Sequence, residues 1–255
     1  MKIDGARAMV VGGASGMARA TAELLVREGA RVAILDREVA NGEKAAAEIG
    51  GGTRFYQCDV TDFAGTEAAI KRAADDLGAL HFGVNTAGGG IAKRTLSKDG
   101  PHPLDDFRAV IDLNLIASFN VARLQAERMA RNQADENGER GVILMTASIA
   151  AFEGQIGQVA YSAAKAGIAG MTLTMARDLG SLGIRVVTIA PSLFQTGLTQ
   201  GIPKVMEDAL IKDAAFPKRM GRPEEYAHMA RALFENPMMN GSVLRLDAGQ
   251  RFAPK

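Results

Sequence analysis

The feature that most constrains this chain is a repeated alternation of short apolar runs with longer amphipathic stretches. Residues 142–145 are apolar at every position, which is typical of a strand buried on both faces of a parallel sheet. Stretches with helical periodicity, such as residues 62–77 and 160–180, follow runs of this kind. The repeated strand–helix–strand order predicts an α/β fold, a doubly wound parallel sheet of about seven strands with helices on both faces.

Length and charge exclude several other classes of protein. The chain has 255 residues and no Pro- or Ser-rich linker divides it, so we expect a single domain spanning residues 1–255. The formal net charge of +1 does not favour nucleic-acid binding. No apolar run is long enough to span a membrane, and the N-terminus lacks the apolar segment of a signal peptide. We therefore expect neither a nucleic-acid nor a membrane partner.

Cysteine usage indicates the compartment. Cys58 is the single cysteine and cannot form an intrachain disulfide, which favours a reducing, cytoplasmic setting. No cluster of Cys and His has the spacing of a zinc site, so we expect no metal.

Three segments interrupt the alternation, namely residues 92–103, 132–140 and 191–222. Long loops in compact α/β domains tend to carry function. We therefore assign residues 191–222 as a substrate-binding loop region within the domain.

A glycine-rich turn connects the first predicted strand to the first predicted helix. Gly12 and Gly16 would allow the backbone to approach a pyrophosphate at the helix N-terminus, where free N–H groups and the helix dipole favour anions. Glycine also occurs freely in tight turns that bind nothing, so the turn alone leaves both interpretations open.

An acidic residue after the second predicted strand favours the binding interpretation. Asp36 lies 20 residues after Gly16, where a carboxylate can accept hydrogen bonds from both hydroxyls of an adenosine ribose and would repel a 2′-phosphate. A solvated turn aspartate is the alternative. Arg37 follows at once and leaves NADP as a second possibility, but the pattern favours NAD.

A tyrosine and a lysine form the candidate acid–base pair. Tyr161 and Lys165 are four residues apart, on one helix face. The Lys165 ammonium and the positive nicotinamide of bound NAD would lower the pKa of the Tyr161 phenol, which could then exchange a proton with an alcohol or a ketone. Ser148 follows a predicted strand, and its hydroxyl could polarise the reacting oxygen. Tyr-x-x-x-Lys is common on solvated helices, but with Ser148 and the glycine turn it predicts a catalytic site.

Together these residues resemble the short-chain dehydrogenase/reductase family over nearly the whole chain. The family's glycine motif matches residues 12–18, its adenine-contact pair matches Asp59 and Val60, and its Asn-x-Ala-Gly motif matches residues 85–88. Its four catalytic positions match Asn114, Ser148, Tyr161 and Lys165. The resemblance implies a Rossmann fold, NAD as cofactor, and a small-molecule alcohol or ketone as substrate.

The resemblance also implies roles for the surrounding residues. Ser148 and Tyr161 would contact the substrate, with Gln155 as a further candidate, and Asn114 would order a water for proton relay. From the sequence alone, Gln155 is explained nearly as well as a loop glutamine that does not contact the substrate. Asn114 is explained equally well as a helix asparagine that bonds a neighbouring carbonyl. The implied cofactor-binding residues are Gly12, Ser15, Gly16, Met17, Asp36, Asp59, Val60, Asn85, Thr86, Ala87, Gly88, Tyr161, Lys165, Pro191 and Phe194.

A narrower resemblance runs through residues 132–140, 146–158, 189–194 and 245–247. These segments resemble the type 2 3-hydroxyacyl-CoA dehydrogenases, which implies NAD-dependent interconversion of 3-hydroxyacyl-CoA and 3-ketoacyl-CoA, a place in fatty acid metabolism, and a homotetramer. Three positions depart from the family pattern: Val11 stands where Thr is usual, Ala18 replaces the third glycine, and Ser192 stands where Gly is usual. We expect these departures to alter cofactor geometry without abolishing binding.

Two other functions stay open. A steroid or small-alcohol dehydrogenase of the same family would use the same residues. A non-catalytic NAD-binding regulator or scaffold could share the fold, because a fold does not determine function. The intact set of Ser148, Tyr161 and Lys165 argues against that last alternative.

Overall fold

The computed structural model describes residues 1–196 and 203–254. In these residues the strands are β1 (Arg7–Val11), β2 (Arg31–Asp36), β3 (Arg54–Gln57), β4 (Phe82–Asn85), β5 (Leu96–Ser97), β6 (Gly100–Pro101), β7 (Gly141–Thr146), β8 (Ile184–Pro191) and β9 (Val243–Leu246). The helices are α1 (Gly16–Arg27), α2 (Val39–Ile49), α3 (Phe63–Leu77), α4 (Leu104–Ile111), α5 (Ala117–Met129), α6 (Val159–Gly180), α7 (Lys204–Ile211) and α8 (Pro223–Glu235).

The main sheet has seven strands in the order β3-β2-β1-β4-β7-β8-β9, and all its pairings are parallel. The predicted doubly wound parallel sheet is therefore confirmed. The strand order reverses between β1 and β4, and in sheets of this kind ligands bind in the crevice outside the carboxyl ends at that point. Val11 pairs with Asn85 and Asn85 with Met145, so the three central strands end nearly level.

Apolar side chains pack on both faces of this sheet. Met9 and Ile143 belong to a buried cluster with α3, α5 and α6, whereas their neighbours Val10 and Leu144 belong to a second cluster with α1 and α8. Successive residues of one strand enter opposite clusters because side chains alternate along a strand. Burial of both faces explains why these strands are apolar at every position.

Local capping signals set the helix ends close to their predicted positions. Asp62 is the N-cap of α3 and accepts a hydrogen bond from the Gly65 N–H at 3.0 Å. The same helix ends at Gly78, whose φ of +80° is a left-handed conformation that glycine adopts readily. Pro223 opens α8, where its missing N–H costs nothing.

The segments predicted as interruptions contain short elements that the sequence did not predict. Strands β5 and β6 form an antiparallel hairpin within residues 92–103, and α7 lies within residues 191–222. Both are too short for their periodicity to stand out in the sequence. Residues 197–202 lie outside the described residues, so the predicted substrate-binding loop region is described only in part.

The predicted helix over residues 104–131 contains a π-helical turn. This turn, Asp112–Ile116, joins α4 to α5 and includes Asn114. Turns of this type inside helices are frequent at functional sites. No helix in the described part of the chain is long and apolar enough to cross a membrane.

A buried ion pair joins the segment before β7 to β8 and the end of α8. Arg185 Nε donates to Glu139 Oε1 at 2.5 Å, and the two side chains are 7% and 6% exposed. The other Arg185 nitrogens donate to the carbonyls of Leu233, Phe234 and Met239, each at 2.8 Å. The guanidinium therefore satisfies backbone acceptors as well as the carboxylate.

We predict that Arg185→Met lowers the free energy of unfolding by about 3–5 kcal/mol, because it removes one partner of a buried charge pair. Arg231→Met is the control, since Arg231 pairs with Glu28 and Glu235 at a site where its side chain is 43% exposed. That variant should lose only about 0–1 kcal/mol. Urea denaturation followed by circular dichroism gives both values, and equal losses would contradict the prediction.

Candidate active site

A cleft of about 830 Å³ lies at the carboxyl ends of the central strands. It is lined by most of the residues that the sequence singled out, although they come from distant parts of the chain. The predicted residues that line it are Gly12, Ser15, Gly16, Met17, Asp36, Asp59, Val60, Thr86, Ala87, Gly88, Ser148, Tyr161, Lys165, Pro191 and Phe194.

The glycine turn forms one side of this cleft with close backbone packing. Gly12 has φ +81°, and a Cβ added to it would lie 2.8 Å from Thr86 Oγ1 and 3.1 Å from the Ala87 nitrogen. A larger residue is therefore excluded both by conformation and by space. Ser15 is the N-cap of α1 but makes no side-chain capping bond, and no acidic residue lies in the first turn. The N-terminus of α1 can accept an anion such as a pyrophosphate.

Asp36 stands at the end of β2, at the edge of the same cleft. Its Oδ2 accepts a hydrogen bond from the Ala14 N–H at 3.0 Å, and its Oδ1 accepts one from the Arg37 N–H at 2.8 Å. The Arg37 guanidinium pairs with Glu38 at 3.1 Å. The carboxylate is thus held by backbone donors beside the glycine turn, and Arg37 has an acidic partner of its own.

Asp59 and Val60 follow β3 on the same side of the cleft. The Asp59 carboxylate accepts hydrogen bonds from the Thr61 hydroxyl at 2.6 Å and from the Thr61 N–H at 2.9 Å. These bonds lower the pKa of Asp59. Cys58 also lines the cleft, and its thiol is free and buried.

Ser148 lies just after β7 and begins the 3₁₀ turn Ile149–Ala151. Its Oγ accepts a hydrogen bond from the Ala150 N–H at 3.1 Å, which fixes the position of the hydroxyl. The Ser148 hydroxyl lies near Tyr161 and lowers the pKa of its phenol. Both side chains line the same cleft.

Tyr161 lies near the start of α6, and its ring packs against Gly90. A Cβ on Gly90 would lie 3.1 Å from the ring, so glycine makes room for it. Burial raises the pKa of Tyr161, and the hydrogen bond from Ser148 lowers it by less. The sequence predicts that Lys165 and a bound nicotinamide lower this pKa. The protein by itself shifts the pKa in the opposite direction, because removing the phenolate from water is the larger effect.

Lys165 is one turn further along α6 and is only 3% exposed. Its Nζ donates to the Thr146 carbonyl at 3.0 Å and lies 5.6 Å from the centre of the Tyr161 ring. Burial lowers the pKa of Lys165 to about 8, because the ammonium is removed from water.

Asn114 is fully buried in the π-helical turn beneath the cleft. Its Nδ2 donates to the carbonyls of Gly89 and Val110 at 2.7 and 2.8 Å, and its Oδ1 accepts from the Gly89 N–H at 3.2 Å. A Cβ on Gly88 would lie 2.6 Å from this Oδ1 and 3.3 Å from Lys165 Nζ. Asn114 thus fastens the loop after β4 to the helix. Its predicted role in a proton relay stays a prediction.

Besides Asn114, two predicted residues do not line the cleft. The side chains of Asn85 and Gln125 of α5 form two amide hydrogen bonds to each other, at 2.9 and 3.0 Å. The Asn85 side chain therefore leaves β4 on the face of the sheet that α5 covers. Gln155 donates from Nε2 to the Ala253 carbonyl at 3.2 Å and lines a separate groove beside Tyr161. Their predicted contacts with cofactor and substrate stay predictions.

The comparisons with known proteins identify the family of this chain. A family model described as short chain dehydrogenase matches residues 6–207. The chain belongs to this family. The protein is therefore an oxidoreductase, and the resemblance read from its motifs is confirmed.

Relatives of this short-chain dehydrogenase match it end to end. The 3-hydroxyacyl-CoA dehydrogenase type-2 of Homo sapiens is 47% identical over 254 residues, which cover 99% of this chain and 97% of that protein. The crystal structure of the 3-hydroxyacyl-CoA dehydrogenase type-2 of Mycobacterium avium has a TM-score of 0.94, 43% identity and full coverage of both chains. A 7α-hydroxysteroid dehydrogenase solved with NADH and 7-oxo glycochenodeoxycholic acid has a TM-score of 0.87 and 29% identity, covering 98% of this chain and 95% of that one.

The three departures from the family pattern are accommodated within the dehydrogenase fold. Val11 and Ala18 are buried in the core, and the Thr86 hydroxyl donates to the Val11 carbonyl at 3.0 Å, which ties the β4 loop to the turn. The Ser192 N–H donates to the Leu246 carbonyl at 3.1 Å, so this residue continues the pairing of β8 with β9.

Side chains that were not predicted from the sequence support the candidate catalytic residues from behind. Tyr226 of α8 is fully buried, and its hydroxyl lies 2.7 Å from Thr146 Oγ1, while the Thr146 carbonyl accepts from Lys165. Phe194 packs edge-on against Tyr226 with ring centres 6.5 Å apart and is bridged to Gly221. No spacing in the sequence could have revealed these contacts, because α8 is far from α6 along the chain.

The pKa of Lys165 makes a prediction about stability. The folded protein releases the Lys165 proton near pH 8, whereas the unfolded chain holds it to about pH 10.4. Between these values the unfolded state binds more protons, so stability should rise with pH. Relative to Lys165→Met, the wild type should gain about 2 kcal/mol between roughly pH 8 and pH 10.

Urea denaturation at several pH values measures this difference. Lys71→Met serves as the control, because Lys71 lies at the surface and pairs with Asp75, with its side chain 69% exposed. If the free energy of unfolding changes with pH in the same way for the wild type and for Lys165→Met between about pH 8 and pH 10, the pKa of Lys165 is not lowered and the prediction is refuted.

Proposed function

We propose that the protein is an NAD-dependent oxidoreductase that interconverts a secondary alcohol and a ketone, with Tyr161 as the acid–base group. The observation that carries the proposal is the assembly of Ser148, Tyr161 and Lys165 at one end of a cleft whose other end holds Asp36. A cofactor that spans the cleft would bring its reactive end to the two hydroxyl groups.

The preference for NAD rests on Asp36 and its surroundings. A carboxylate beside the glycine turn favours ribose hydroxyls and repels a 2′-phosphate. Arg37, the adjacent cation that could favour NADP, is paired with Glu38. The 7α-hydroxysteroid dehydrogenase with the same fold was solved with NADH. The N-terminus of α1, which has no side-chain cap and no acidic residue in its first turn, fits a pyrophosphate.

The chain's own residues supply the proton chemistry. NAD, when bound, would accept a hydride from the alcohol and, as NADH, return it to the ketone. With its pKa raised by burial, Tyr161 holds its proton at neutral pH and can donate it to the oxygen of a ketone as the alcohol forms. Ser148 would donate a hydrogen bond to the same oxygen and stabilise its developing charge. Lys165, which donates to the Thr146 carbonyl, would orient Tyr161 and bind the cofactor ribose.

The substrate that we propose is the pair 3-hydroxyacyl-CoA and 3-ketoacyl-CoA, which places the enzyme in fatty acid metabolism. Support comes from the relatives named 3-hydroxyacyl-CoA dehydrogenase type-2, which share 46–47% identity with nearly the whole chain. A steroid alcohol is the second candidate, favoured by the likeness to the 7α-hydroxysteroid dehydrogenase. A scaffold without catalysis is disfavoured, because it would not need the hydrogen-bonded Ser148 and Tyr161.

The remaining expectations belong to the same proposal. We infer one domain over residues 1–255, with residues 191–222 as its substrate-binding region, in a cytoplasmic homotetramer. The free, buried thiol of Cys58 is consistent with a reducing compartment. Phe119 of α5 and Leu173 of α6 are 46% and 47% exposed, and contact between subunits would cover them.

Replacing Tyr161 with Phe tests the catalytic assignment. The variant keeps the ring but removes the proton donor, so kcat for NADH-dependent ketone reduction should fall by roughly 10²–10⁴. Tyr56→Phe is the matched control, because its hydroxyl donates to Asp76 at the surface and lies outside the cleft. If Tyr161→Phe and Tyr56→Phe have equal kcat, Tyr161 is not the proton donor.

A substrate panel tests the rest of the proposal. We expect kcat/KM for acetoacetyl-CoA to exceed that for a steroid ketone and for a small free ketone, and NADH to be preferred over NADPH. Asp36→Ala should narrow the preference for NADH by about tenfold or more, because it removes the repulsion of the 2′-phosphate. A wild-type enzyme that prefers NADPH would overturn the assignment of NAD. A wild-type enzyme that prefers the steroid ketone would overturn the assignment of acyl-CoA as the substrate.

A further inference from the structure

One arginine outside the cleft fastens the segment that connects the two catalytic hydroxyl groups. Arg245 of β9 reaches residues 152–158, which lie between Ser148 and Tyr161. Its Nη1 donates to Glu153 Oε2 at 3.1 Å, and its Nη2 forms a second, short hydrogen bond to Glu153 Oε1. The pair is bidentate, the geometry that best matches a guanidinium to a carboxylate. Both side chains are 23% exposed, so water screens the pair only in part.

The same guanidinium is itself held from three other directions. Its Nε donates to Asp247 Oδ2 at 2.6 Å, and Nη2 donates to the Gln250 carbonyl at 3.0 Å. The charged group also lies over the Phe152 ring, 5.4 Å from its centre. The donor bonded to Glu153 therefore has a fixed orientation, because β9 and the chain after it hold the other side of the guanidinium.

The chain after β9 continues this attachment along the segment. The Ile156 N–H donates to the Pro254 carbonyl at 3.0 Å, and Gln155 Nε2 donates to the Ala253 carbonyl. On its opposite side the Gly157 carbonyl accepts from the Lys93 N–H at 2.9 Å. Residues 154–157 thereby form one wall of a groove of about 500 Å³, which faces the β5–β6 hairpin and includes Ser162, the neighbour of Tyr161.

We propose that Arg245 is a positioning residue that holds residues 152–158 in place as the wall against which a large substrate lies; the proposal rests on the function proposed above. Ser148 is anchored by β7 and the 3₁₀ turn, and Tyr161 by α6, so both hydroxyl groups stay in place without Arg245. The segment between them contains no helix or strand from Gln155 to Gln158, so its position depends on the hydrogen bonds from Arg245, the chain after β9 and Lys93. Loss of Arg245 should therefore weaken substrate binding more than the proton transfer step.

Steady-state kinetics separate these effects. With NADH and acetoacetyl-CoA, Arg245→Gln should raise KM for acetoacetyl-CoA about tenfold, while kcat and KM for NADH change less than about twofold. The small ketone ethyl acetoacetate should show less than about a twofold change in KM, because it does not extend along the segment. Arg245→Lys keeps the charge and should recover part of the loss, and Glu153→Gln should resemble Arg245→Gln without adding to it.

Two results of these measurements would overturn the proposal. One is an unchanged KM for acetoacetyl-CoA in both Arg245→Gln and Glu153→Gln. The other is a parallel fall of kcat for both ketones, which indicates a general loss of folded enzyme. Arg231→Gln is the matched control, because it also removes an arginine from a surface ion pair but lies on α8, and its KM values should stay at the wild-type level.

Hydrogen exchange gives a readout that does not depend on the substrate. In the wild type and in Arg231→Gln, amides of residues 152–158 should exchange slowly, and Arg245→Gln should accelerate them severalfold while the amides of α6 beyond Lys165 stay unchanged. Unchanged exchange refutes the positioning role whatever the substrate is. Accelerated exchange in an enzyme that does not reduce acetoacetyl-CoA keeps that role and refutes the proposed function instead. If Arg245→Gln does not fold, Glu153→Gln provides the same measurement.

Discussion

The parallel register of β4, β1 and β7 sets where each part of the site begins. Val11, Asn85 and Met145 lie side by side in adjacent strands, so the chain leaves all three strands at one edge of the sheet. The glycine turn, the Gly88 loop and the segment of Ser148 start from that edge. Because the strand order reverses between β1 and β4, the connecting helices leave the space above these ends open. The cleft is a consequence of the topology before any of its side chains is considered.

Burial then determines the electrostatics of the catalytic pair. The same removal from water raises the pKa of Tyr161 and lowers that of Lys165, because it disfavours phenolate and ammonium alike. Glycines at positions 88 and 90 make this burial possible, since a methyl group at either position would press on Asn114 and Lys165 or on the Tyr161 ring. The two shifts separate the proton affinities of the pair, so Tyr161 holds its proton more firmly than Lys165 does.

Hydrogen bonds from outside the cleft hold the segments around the candidate catalytic residues in position. Asn114 hydrogen-bonds to both the N–H and the carbonyl of Gly89. The Tyr226 hydroxyl hydrogen-bonds to Thr146, and the Arg245 guanidinium hydrogen-bonds to Glu153. Each of these bonds joins elements that are far apart in the chain. An arrangement of this kind keeps reactive groups within the narrow tolerance that catalysis requires.

Much of this protein could be read from its sequence, because the strongest signals are local. The buried strands, the caps at Asp62 and Gly78, the glycine turn, Asp36 and the Tyr161–Lys165 pair all depend on residues close together in the chain, and the structure brings most of the predicted site residues into one cleft. Only the tertiary structure decided that Asn85 faces Gln125, that burial raises the pKa of Tyr161, and that Arg245 holds the segment before Tyr161. These facts depend on how elements distant in the sequence pack together, and neither desolvation nor a contact between remote strands and helices has a signature in local spacing.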